Sequence, residues 1–70
     1  MSWSTRGEFQ NYAFKEALHR EEQAVARFDH LAKKIRDDRL KRMFNSFAGT
    51  SRERLQQLKV EMAHLNIKSS

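Results

Sequence analysis

Apolar side chains recur every three or four positions in two long runs of this chain. Phe14, Ala17, Ala24, Phe28, Leu31 and Ile35 make the first run, with Glu21 set among them, and Tyr12, Leu18, Val25 and Ala32 widen it. This is a helical period close to a heptad. Leu40, Phe44, Phe47, Leu58, Met62 and Leu65 make the second run, with Ser51 and Arg54 in phase and Met43 and Leu55 alongside. Thr5-Arg6-Gly7-Glu8 fits a capping box, so the first helix is expected from residue 6 to 36. Asp37 and Asp38 supply the turn. Either can cap the helix that follows, expected over 39–66, and both suit its positive N-terminal end. Short tails, 1–5 and 67–70, complete a single domain.

A turn near Asp37 fixes the register of an antiparallel hairpin. Glu21 stands sixteen residues before Asp37 and Glu53 sixteen after it. Glu21 is therefore expected at the level of Arg52 to Arg54, which gathers Glu21, Ser51, Glu53 and Arg54 into one central polar site. A different parse breaks the second helix at Gly49. Glycine in a helix costs about 1 kcal/mol relative to alanine, and Thr50-Ser51-Arg52-Glu53 also fits a capping box. The result would be three helices. The apolar stripe stays in phase across Gly49, which favours one continuous helix.

Seventy residues without cysteine or proline, a third of them charged, suit solvated helices with a small core. Two helices side by side cover only part of stripes that carry Phe14, Phe28, Leu31, Phe44, Phe47 and Leu58. An apolar face of that width calls for a partner. The expected fold class is all-α: a long antiparallel helical hairpin that dimerises into a four-helix bundle. A hetero-bundle with another protein's helices satisfies the same physics. Trp3, just outside the first helix, is expected to pack back onto apolar surface.

The net charge of +5 is unevenly spread: Lys33, Lys34, Arg36, Arg39, Lys41 and Arg42 crowd the turn. Such a cluster attracts phosphates or acidic partners. Nucleic-acid binding through this basic turn is one functional reading, although few aromatics stand where bases would stack on them. No apolar run reaches the ~18 residues of a membrane span, and the N-terminus lacks the apolar core of a signal peptide. The expected location is the cytoplasm.

The segment Ala17-Leu18-His19-Arg20-Glu21-Glu22-Gln23-Ala24-Val25-Ala26-Arg27-Phe28-Asp29-His30-Leu31-Ala32 resembles the first ligand helix of the ferritin-like superfamily, in its rubrerythrin-like branch. There a glutamate is followed seven residues later by an aromatic, usually tyrosine. Leu40-Lys41-Arg42-Met43-Phe44-Asn45-Ser46-Phe47-Ala48 resembles the run that leads into that family's Glu-x-x-His motif. The resemblance spans roughly residues 10 to 60. It implies a bundle in which carboxylates and Glu-x-x-His motifs hold two iron ions. Glu21 matches the first carboxylate, but Ser51 and Arg54 fall where Glu and His are required, and Phe28 replaces the tyrosine. Serine is a poor iron ligand, and a guanidinium cannot ligate and repels a cation. On this alignment the di-iron site is dismantled and no cofactor is expected.

Arg54 stands where the metal's charge would be and suits a pair with Glu21, within the hairpin or across the dimer. The best-attested use of such a pair is to fix register and partner choice. His19 and Glu22, at i,i+3, face water by the stripe, and His30 and His64 have no matching ligands. Glu21 and Glu53 could hold iron if a dimer brought two copies of each together. No nucleophile has a base beside it, and there is no glycine-rich phosphate loop. The expected function is a non-enzymatic structural or protein-interaction role. A metal-binding, oxidative-stress protein is the alternative.

Overall fold

The computed structural model describes residues 5–67. Trp3 and the distal parts of both tails lie outside the described residues. Two helices account for nearly all of what is described: α1, Arg6–Lys34, and α2, Asp38–His64, packed as an antiparallel hairpin. Val25 is the only β-branched residue of α1, and Thr50 and Val60 are the only ones of α2, so little side-chain entropy opposes either helix. Neither helix is long and apolar enough to cross a membrane.

Side-chain oxygens start both helices. Thr5 Oγ1 accepts from Glu8 N–H at 3.0 Å, and Asp37 Oδ1 accepts from Leu40 N–H at 3.0 Å. Each answers one of the orphan donors of a first turn. The helix ends differ from expectation. α1 stops at Lys34 rather than residue 36 because Ile35 turns extended, at φ −76° and ψ 135°, while its N–H still reaches Leu31 O. Asp37, itself extended, then caps a helix that begins at Asp38, one residue early.

α2 ends at His64 rather than 66. Asn66 takes the left-handed conformation at φ 60°, Ile67 N–H bonds Met62 O at 2.7 Å, and Asn66 N–H bonds Ala63 O at 3.3 Å. These two bonds define a Schellman motif, with asparagine where glycine is commoner. The motif folds Ile67 back onto Met62 and Leu18, and the three form the buried cluster at the open end of the hairpin. Phe14, Leu55 and Leu58 pack against it. The short tail expected over 67–70 is therefore corrected at Ile67, which is buried against both helices.

α2 is unbroken at Gly49, so the three-helix parse is overturned for the described residues. Thr50 continues the helix by turning its hydroxyl onto Ser46 O at 3.2 Å, the back-bond that serine and threonine use inside helices. A Cβ built on Gly49 meets no atom within 4 Å, so no close approach requires a glycine there.

The seam between the helices follows a strict seven-residue repeat. Leu18, Val25 and Ala32 face Ala48, Leu55 and Met62, beside a second row of Phe14, Glu21, Phe28 and Ile35 against Phe44, Ser51 and Leu58. Ala32, Ala48, Ser51, Leu18 and Met62 are the most deeply buried of these. Three of the five, Ala32, Ala48 and Ser51, are small. The most buried positions are thus displaced from the stripe read off the sequence at two levels: Leu18 and Ala32 are buried where Ala17 and Leu31, one position earlier, are half-buried, and Phe47 is exposed.

The displacement divides the hairpin into two unlike flanks. On one, Glu22, Asp29, Asn45, Arg52 and Lys59 are polar, and Asp29 and Arg52 pair across the helices. The other carries Ala17, Ala24, Leu31 and Phe47, with Arg54 among them. The slab they bound measures 50 × 26 × 16 Å.

Candidate interaction face and its central ion pair

The apolar flank is a continuous shallow trough built from three successive stretches. Toward the turn, Phe28, Phe44 and Phe47 stack on one another, with ring centroids 5.4 to 6.2 Å apart and Phe44 edge-on to Phe47. Such pairs contribute roughly 0.5–1.5 kcal/mol each beyond area burial. Toward the open end, Ala13, Phe14, Ala17 and Leu58 line a wholly apolar depression. Between these blocks lie Glu21 and Arg54. Arg54 also lines a depression with Phe28 and Phe47, and Ala17 and Leu58 line one with Glu21 and Arg54. Gln57 and Glu61 rim the trough.

Glu21 and Arg54 are brought together within one hairpin, at 3.8 Å between Nη1 and Oε2. That is an ion pair but too long for a hydrogen bond. The Arg54 side chain is 60% exposed and that of Glu21 20%. A pair so open to water contributes about 0–1 kcal/mol to the hairpin's stability. Ser51 is buried in the seam and lines the depression that Arg54 shares with Phe28 and Phe47. Glu53 is exposed and lines a neighbouring depression with Gln56, Gln57, Val60 and Glu61, of which Gln57 and Glu61 also border the one that holds Glu21 and Arg54. Among the described residues no group of three or more His, Asp or Glu side chains is placed to hold a metal ion, and His19, His30 and His64 are exposed.

Sequence reasoning missed the ion pair between Arg52 and Asp29 on the polar flank. Helical phase could have found it: both residues lie one position beyond the seam row, on the same side. The pair occupies Asp29 and the cap occupies Asp37, while Asp38, in the first turn of α2, forms no ion pair with the six cations beside it. Lys33, Lys34, Arg36, Arg39 and Arg42 are exposed, Lys41 is half-buried, and none of them is in an ion pair. Lys33 and Lys34 sit in the last turn of α1, where they favour the negative end of its dipole.

No family model matches this chain, and neither does any curated protein or solved structure with which it was compared.

Proposed function

We propose that this chain is a non-enzymatic protein-interaction module whose partner is a second copy of itself. Two hairpins close their apolar flanks into a four-helix bundle of the ferritin-like kind, without the di-iron centre. The observation that carries this reading is the one-sided flank. Phe28, Phe44, Phe47, Phe14, Leu31 and Leu58 share a face with Glu21 and Arg54, while the opposite flank is polar throughout. A 50 × 26 Å face is large enough for the roughly 800 Å² that each partner contributes to a standard interface.

Native mass spectra and sedimentation across a concentration series, with and without added iron, test the reading. The expected result is a mass twice 8.3 kDa, free of metal in both conditions. A monomer at every concentration overturns self-association. A dimer with stoichiometric iron replaces the interaction reading with a metal-binding one in which Glu21 and Glu53 become the residues to alter first.

A further inference from the structure

Resting on that self-association, we infer that the two copies pair antiparallel about a two-fold axis at the level of Glu21 and Arg54. There the two ion pairs interleave into a ring of four alternating charges that sets the register.

The spacing of large side chains is symmetric about this level. Phe14 and Phe28 each stand seven residues from Glu21, and Phe44 and Leu58 each stand seven from Ser51. At 1.5 Å per residue, these bulky positions lie about 10 Å to either side of a polar waist. A two-fold axis through the waist lays the Phe28, Phe44 and Phe47 block of one copy over the Phe14, Ala17 and Leu58 block of the other. Slipping by one heptad would set Glu21 against an aromatic ring and strand a charge on apolar surface, which is costly.

Charge points the same way. In an isologous contact, residues at the axis meet their own copies or their immediate neighbours. Glu21 and Arg54 are adjacent and opposite, so rotation brings each within reach of its complement. A guanidinium has five donors, and at 3.8 Å from Glu21 that of Arg54 spends none on a short bond within the hairpin. The partner's carboxylate can take them. The turn adds a third constraint. Six unpaired cations crowd one tip of the hairpin, and a parallel pairing would set two such tips together, within the Debye length of about 8 Å at physiological salt. Antiparallel pairing separates them. Arg36, fifteen residues from Glu21, would lie about 22 Å from the axis and about 45 Å from its copy.

Charge reversal and mixing test the ring. Glu21→Arg alone makes all four axial charges positive, and Arg54→Glu alone makes them all negative. Each variant by itself should dimerise at least tenfold more weakly than the unaltered protein. Mixed in equal amounts they should form a heterodimer, seen as a mixed species in the native mass spectrum, with helicity restored if either variant alone had lost it. Failure of mixing to restore the dimer overturns the charge ring, whether or not the single variants fold. Spin labels on Arg36→Cys, in a chain with no other cysteine, should report a separation near 45 Å, and a value under about 25 Å overturns the antiparallel arrangement. If the unaltered protein is monomeric, self-association itself fails. If it dimerises but mixing or the label distance fails, only the arrangement does.

Discussion

Met62→Ala is the substitution that most directly tests the open end of the hairpin. Met62 is 1% exposed, packs with Leu18 and Ile67, and is the third residue from the end of α2. By position alone it belongs to a fraying terminus, where truncation would cost little. The structure predicts otherwise, because Asn66 reverses the chain and seats Ile67 against it. Removing a buried methionine side chain costs about 2–5 kcal/mol. We expect about 3 kcal/mol, since Ile67 and Leu18 would both face the vacated space. A domain of seventy residues holds roughly 3.5–10 kcal/mol in total, so the loss would be a large share of it. In a chain this small it corresponds to a fall in Tm of about 12–24 °C. The assay is urea and thermal unfolding followed by circular dichroism, at one fixed protein concentration because association is linked to folding. Val60→Ala is the control. Val60 lies on the same helix and is 53% exposed, so its truncation should stay within about 0.5 kcal/mol. Equal shifts for the two variants would refute the latch.

Two further substitutions probe the backbone. Gly49→Ala should stabilise the protein by about 1 kcal/mol, read as a higher urea midpoint, because the added methyl meets only open space and the helix gains propensity. A loss of stability there would mean that the site is covered. At Asn66, glycine should raise the midpoint and valine lower it by about 1–2 kcal/mol, since the left-handed conformation penalises a Cβ and most of all a branched one. Identical midpoints for the two would remove the turn from the account.

The starts of both helices were legible because a capping oxygen is a local signal: Thr5 and Asp37 each act within three residues of themselves. The level at which Glu21 meets Arg54 was legible for a different reason. A short turn leaves an antiparallel hairpin almost no freedom of register, so counting from Asp37 suffices. What the sequence obscured was rotation about each helix axis. Ala48 and Ala32 are weakly hydrophobic, so a stripe chosen by bulk drifts toward Leu31, Phe47 and Arg54, whereas close packing selects the small residues. The same drift placed Phe47 at the centre of the apolar surface, where the structure gives it an exposed position on the flank. Glu53 matched Glu21 by counting, but its helical phase sets it in the adjoining depression, across Gln57 and Glu61 from Glu21. The end of α2 was hidden because asparagine carries no strong stop signal. Only the paired bonds from Asn66 and Ile67 reveal the reversal.

The seating of Ile67 against Leu18 also orders events in time. Contacts beside the turn join residues close together in the chain and can form first. The Leu18, Met62 and Ile67 cluster joins the fourth turn of α1 to a residue almost fifty positions later. Closing so wide a loop carries the larger entropic cost. The hairpin can therefore zip from Phe28 and Phe47 outward, with Ile67 latching last. Up to that moment Leu18 and the face around it remain open to whatever apolar surface is near.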